Sequence, residues 1–227
     1  MVESIKELRK ICQKGHIWLV YRYISIYITR ILIKTPIKPN QITLFWILIG
    51  IIGCILLFFG KYIYSVIGAS LILLSIIFDY VDGELARYKK IFSEKGGVFL
   101  DWVGTWLIFL LAILGISIGL YLAKNDFRIL ILGLITFFGY TMSEFIKLLD
   151  FYALKKNKLK TQTKSKHLKI YKIYTILRNI FLLEYFHIVV FVMAIFNILE
   201  VVLIYYALAF NGLWIGKVIY ETFFHLK

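Results

Sequence analysis

Proline, cysteine and acid are all scarce in this chain. Two prolines occur in 227 residues, Pro36 and Pro39, so no later segment carries a helix breaker. The two cysteines are Cys12, in a polar N-terminal stretch, and Cys54, in an apolar run. That usage excludes a disulfide framework and supports no thiolate metal site. Asp and Glu number 13 against 27 Lys and Arg, a net charge of +14. In a soluble protein such a charge points to nucleic acid. Here the basic residues lie between hydrophobic stretches and no basic domain stands apart, so no nucleic-acid partner is expected. His16, His167, His187 and His225 show no ligand spacing and read as interface or surface residues. The opening from Met1 to Gly15 is mixed rather than apolar, and no cleavable signal peptide is expected there.

Apolar residues, by contrast, are in excess. The chain is 61% hydrophobic and 18% aromatic, with a mean hydropathy of +0.82. Soluble domains are typically about 45–50% apolar. The expected fold is therefore an all-α integral membrane protein. A spanning helix needs roughly 20 mainly apolar residues. Six stretches meet that length, at about 41–59, 63–86, 97–123, 129–149, 179–198 and 200–220. Little polar sequence separates the last two, so a tight hairpin must join them. Residues 17–38 mix tyrosine and arginine with aliphatics at helical spacing and read as an amphipathic helix lying in the interface rather than a seventh span. Residues 168–180 are a second candidate of that kind. No repeat is evident, and the chain reads as a 1–40 interfacial segment followed by one transmembrane domain over 41–227.

Charge in the connections sets an orientation. Eight Lys and Arg precede residue 40, Lys61 alone follows the first span, and Arg87, Lys89, Lys90 and Lys95 follow the second. Lys124 and Arg128 follow the third, ten residues from Lys147 to Arg178 follow the fourth, and none follows the fifth. This alternation predicts both termini and the Asp79–Asp101 region on the cytoplasmic side of the inner membrane. The Lys155–Lys160 run reads as a topology and anionic-lipid loop, with a share in attracting an anionic acceptor as the alternative. Gly115 and Gly119, four apart, read as a close-packing stripe.

Ionisable groups at membrane depth cost on the order of 3 kcal/mol each, so they mark function by default. Asp79 and Asp82 are three apart on a predicted helix and share a face. Gly83 opens the backbone beside Asp82, and Arg87 lies a turn further on. On the next helix Asp101 follows Gly97 by four. Carboxylates that converge without histidine or cysteine suit a hard cation, Mg²⁺ or Mn²⁺, able to bridge a pyrophosphate. The plainer alternative is a buried ion-pair network with Arg87 and Lys90.

The run Asp79-xx-Asp82-Gly83-xx-Ala86-Arg87, then Gly97-xxx-Asp101, resembles the signature of the CDP-alcohol phosphatidyltransferases. Pro39-Asn40-Gln41-Ile42-Thr43, opening the first span, is similar to that family's P-N-x-x-T element. The likeness is good over about 17–123 and extends beyond it only in layout. It implies a membrane enzyme of phospholipid synthesis. Such an enzyme moves a substituted phosphate from a CDP-alcohol, CDP-diacylglycerol for preference, to an alcohol acceptor and releases CMP. It also implies metal at Asp79, Asp82 and Asp101, CDP binding by Gly83 and Arg87, and a cytidine-side segment of Asn40, Gln41, Ile42 and Thr43. A donor-contacting hydroxyl at Ser93 and a homodimer follow from the same likeness.

There are two departures. Nine residues separate Arg87 from Gly97, one more than is usual in the family, so the loop from Phe92 to Lys95 is expected to be rearranged. The family's fourth aspartate, a metal ligand and the proposed base, falls at Thr105. Threonine is no base at neutral pH, and loss of a general base typically costs about 10²–10⁴-fold. Asp101 is then the best-placed catalytic carboxylate. Glu144 is another candidate, against a simpler pairing with Lys147, and Glu84 is offset from the Asp79/Asp82 face. Two rival readings remain. One is a catalytically impaired relative that binds nucleotide or lipid, motivated by Thr105. The other is an ion-coupled transporter, which would have no need of Gly83, Ala86, Arg87 or the Pro39–Thr43 element.

Overall fold

The structure is a computed structural model that describes residues 4–12, 20–91, 96–158 and 185–225. Ser93, His16, His167, Arg178, the Phe92–Lys95 loop, the helix expected over 168–180 and residues 179–184 of the fifth expected span lie outside them. The described residues form helices joined by short turns, without a strand. In chain order the helices are α1 (Ile5–Cys12), α2 (Val20–Leu32), α3 (Pro39–Leu57), α4 (Tyr62–Lys89), α5 (Gly96–Lys124), α6 (Phe127–Lys158), α7 (Phe186–Ile195) and α8 (Leu199–His225). Five of them, α3 to α6 and α8, contain stretches long and apolar enough to cross a membrane, and α7 is a shorter apolar helix. The chain is thus an all-α integral membrane protein. It divides into two compact units, Met1–Gly115 and Ile116–Lys227.

In the first unit, α1 is a separate element that the sequence reading left within a polar stretch. Its start is a capping box: the Ser4 backbone N–H and hydroxyl donate to Glu7 Oε2 at 2.8 and 2.9 Å, and the Glu7 N–H donates back to Ser4 Oγ. Those bonds hold the exposed Glu7 carboxyl below its usual range. The described part of helix α2 has 13 residues, or about 20 Å, shorter than a hydrocarbon layer of about 30 Å. Val20, Tyr23, Ile24, Tyr27 and Ile31 are exposed on it while Tyr21, Ser25, Ile26 and Thr29 are buried. That two-faced character suits an interfacial helix.

Helix α3 begins at Pro39, whose missing N–H costs nothing in a first turn. The Lys38 N–H donates to Gln41 Oε1 at 2.8 Å and closes that turn. Along α3, glycines permit close neighbours. A Cβ on Gly53 would stand 2.7 Å from the Gly68 carbonyl oxygen of α4, and one on Gly68 would stand 2.5 Å from that of Gly53. Gly115 on α5 meets the Cys54 carbonyl of α3 in the same way, at 2.8 Å. It therefore permits close packing, as its spacing from Gly119 suggests. Helix α4 has 28 residues, about 42 Å, so its last turns extend past a hydrocarbon core of about 30 Å. It stops at Lys90, whose φ of 54° is left-handed.

In the second unit, α6 and α8 are tied by hydroxyls to backbone. Thr136 donates to the Leu203 carbonyl at 3.1 Å and Ser143 to that of Phe210 at 3.2 Å. Asn211 Nδ2 donates to the Ile135 carbonyl at 3.0 Å. Tyr140, Tyr206, Phe186 and Phe210 pack ring against ring. The expected tight hairpin between α7 and α8 is Phe196–Asn197–Ile198, with Asn197 left-handed at φ 56°.

Candidate active site

The signature lies in the final turns of α4, and the helical period distributes it. Asp79, Asp82, Gly83 and Ala86 fall on one face. Val81 and Leu85 fall on another, buried with Ile42 of α3. Tyr80, Glu84 and Arg87 fall toward the N-terminal helices. Tyr21 of α2 stacks on Tyr80 at 5.7 Å, and the Arg22 guanidinium lies 5.4 Å from the same ring. Glu84, 1% exposed, accepts hydrogen bonds from Ser25 Oγ at 2.8 Å and Thr29 Oγ1 at 2.7 Å. It faces α2, away from the Asp79/Asp82 face, in keeping with its predicted offset.

Two donors from α3 meet on one oxygen of Asp82. Thr43 Oγ1 lies 2.7 Å from Asp82 Oδ2, and Trp46 Nε1 lies 2.9 Å from it. Thr43, expected on the cytidine side, thus touches a signature carboxylate. Asn40 and Gln41 are exposed at the start of α3, Gln41 as a cap, while the Ile42 side chain is buried in the α3–α4 contact. Trp46 was missed by sequence reasoning. The available signal was its place three residues after Thr43 on the same face.

Asp101 reaches the group from α5. Its carboxyl is a near neighbour of the Asp79 carboxyl. Gly104, one turn on, is buried against Trp46 and Ile47 of α3. Thr105 is exposed and half-buried Asp101 is not, so the two positions differ in surroundings although they lie a turn apart.

Arg87 lies over Gly83. A Cβ on Gly83 would be 3.4 Å from Nη1 and 3.5 Å from Nη2, ordinary contact distances. Arg87 Nε also donates to the Cys12 carbonyl at the end of α1. The ion-pair alternative is not what forms among the described residues, where none of the three aspartates is salt-bridged. Lys89 Nζ donates instead to the carbonyls of Thr35 and Ile37, at 2.7 and 2.8 Å. In the second unit Glu144 pairs with Lys147 at 3.3 Å, the simpler of its two readings.

The three aspartates are neighbours without being a closed ligand set. Among the described residues no three His, Cys, Asp or Glu side chains are gathered tightly enough to hold an ion as they stand. One reason is visible at Asp82, where one oxygen is already engaged by Thr43 and Trp46. The donor chemistry nevertheless fits a divalent cation. All the ligand atoms are carboxylate oxygens, the preference of Mg²⁺ and Mn²⁺, and their mutual repulsion is what such a cation would relieve.

The fold and the site define an all-helical membrane protein with acids and an arginine in the final turns of one long apolar helix. The CDP-alcohol phosphatidyltransferase family profile matches residues 37–213. The chain belongs to that family and is a phosphotransferase of phospholipid biosynthesis whose family generally uses divalent metal ions. No curated protein matches it. Among solved structures, the fold is similar to the crystal structure of Mycobacterium tuberculosis phosphatidylinositol phosphate synthase with CDP-DAG bound. The TM-score is 0.57 at 16% identity, over 86% of this chain and 92% of that one.

Proposed function

We propose that this chain transfers a substituted phosphate from CDP-diacylglycerol to a hydroxyl acceptor on the cytoplasmic face of the inner membrane, releasing CMP. The observation that carries the reading is the Asp82 carboxylate held by Thr43 and Trp46 in the final turns of α4, with Arg87 lying over the adjacent Gly83. The bound CDP-DAG of the similar synthase supports the choice of donor. The site is proposed to take Mg²⁺ or Mn²⁺ on Asp79, Asp82 and Asp101, where the cation would neutralise pyrophosphate charge and stabilise the departing CMP.

The residues divide the work. Gly83 leaves room for close approach of the nucleotide, and Arg87 offers its guanidinium to a phosphate. Asn40, Gln41, Ile42, Thr43 and Ser93 are proposed for the donor side, Ile42 through its backbone because its side chain is buried. Asp101 is proposed to take the proton of the acceptor hydroxyl. The acceptor oxygen then bonds to the phosphorus that carries diacylglycerol, and the bond from that phosphorus to the bridging oxygen breaks. The bridging oxygen leaves with CMP. A homodimer is proposed from the family likeness.

Thr105 favours a second reading, a relative that binds the donor without turning it over. Purified protein in nanodiscs, given labelled CDP-diacylglycerol, Mn²⁺ and a panel of glycerol phosphate, inositol phosphate and amino alcohols, separates the two. Acceptor-dependent release of CMP is expected. Donor binding without CMP release from any acceptor would establish the second reading instead.

A further inference from the structure

Trp46 belongs to neither signature, yet it touches both helices that carry signature carboxylates. It is 2% exposed. Its Nε1–H donates to Asp82 Oδ2 on α4 at 2.9 Å. The far edge of its ring lies against α5 at Gly104, where an added Cβ would come 2.7 Å from Trp46 Cη2. Gly104 is one turn beyond Asp101. The rigid indole therefore fills the space between the Asp82 carboxylate and the backbone turn that follows Asp101. Thr43 Oγ1, at 2.7 Å, completes a two-donor clamp on the same Asp82 oxygen. Two donors on one oxygen fix the carboxylate's rotation and turn its other oxygen to a definite direction.

We infer that Trp46 is a positioning residue of the metal site: its indole N–H orients Asp82, and its ring sets the distance from α4 to the Asp101 turn of α5, with Gly104 kept free of a side chain for that contact. The inference rests on the proposed metal binding by Asp79, Asp82 and Asp101. Partners that orient metal ligands typically contribute about 10–100-fold to metal affinity. With threonine at position 105, no carboxylate at that position can make up for a misaligned Asp82.

The test measures Mn²⁺ affinity by electron paramagnetic resonance on the full chain in nanodiscs, alongside its melting temperature. Trp46 is replaced by β-(3-benzothienyl)alanine, which keeps the fused ring and substitutes sulfur for the N–H. Gly104→Ala is the complementary variant, keeping every donor and ligand while a methyl group presses on the indole and on Ile47 beside it. Asp82→Asn is the control. Mn²⁺ affinity should fall roughly tenfold or more in both positioning variants, and the melting temperature of the benzothienyl protein should stay at the parent value. Undiminished Mn²⁺ affinity in the benzothienyl protein, with or without a lower melting temperature, overturns the orienting role. Undiminished affinity in Gly104→Ala overturns the spacing role. If Asp82→Asn also binds Mn²⁺ like the parent, or the parent binds none, the metal reading itself falls and takes this inference with it. If Asp82→Asn alone loses Mn²⁺, only the positioning inference falls.

Discussion

Arg87 shows how one side chain can be legible in part. Its place one turn after Gly83 is a matter of helical spacing, and the two do meet. Its hydrogen bond to the Cys12 carbonyl joins residues 75 apart, which no spacing rule anticipates. Arg87→Ala should weaken CMP and CDP-diacylglycerol binding, by roughly tenfold or more for one charge-assisted phosphate contact. Isothermal titration beside a melting curve checks it. Unchanged affinity with a lowered melting temperature would assign Arg87 to tethering α1 alone. Glu84 is the converse case. It sits inside the signature and serves α2, through Ser25 and Thr29. Glu84→Leu strands two buried hydroxyls, at a cost of about 1–3 kcal/mol for each donor left unsatisfied. Thermal melts should show that loss, and the double variant with Ser25→Ala should be less than additive because the two changes break the same bond.

At the scale of elements, α5 poses the sharpest question. Its carboxylate Asp101 is followed one turn later by Thr105, an exposed position. Thr105→Asp returns the family's missing carboxylate. If the chain is a slow enzyme for want of that group, turnover should rise roughly tenfold or more, the low end of what a positioned base supplies. A CMP-release assay reads it directly. An unchanged or lower rate would mean that Asp101 already carries the proton, or that the surroundings of position 105 no longer admit a base. The helix contacts are equally specific. Gly53 and Gly68 bring α3 and α4 together backbone to backbone, and that approach is what puts Thr43 and Trp46 on Asp82. The small residues could be marked in the sequence as packing sites, but their partners could not. A glycine specifies close approach without saying to what.

For the molecule as a whole, the alternation of basic connections predicts topology, and the structure supplies suitable probes. Both native cysteines are buried, so single cysteines introduced at exposed positions should dominate labelling. Arg128→Cys, at an exposed position in the first turn of α6, should react with an impermeant maleimide in intact cells. Lys34→Cys, exposed between α2 and α3, should react only in inverted vesicles. The reverse pattern would put the aspartate site on the side away from CDP substrates and would remove the proposed function.

The sequence alone determined what is local or additive. Hydropathy summed over about 20 residues marks a span, and the three-residue step from Asp79 to Asp82 puts both on one face. Spacing also separated Glu84 from that face, and the family resemblance marked Thr105 as the departure. Hydropathy does not mark α1, because an eight-residue polar helix buries too little apolar surface to stand out, although its Ser4–Glu7 cap was present to be read. Tertiary structure alone decided which groups from different helices meet. The Asp82 donors lie 39 and 36 residues away on α3, and the Glu84 donors 59 and 55 away on α2. Such pairings depend on crossing geometry and on which glycines let backbones approach. A membrane offers no period or charge pattern to encode them, since between apolar helices packing shape, more than hydrophobicity, selects the partner.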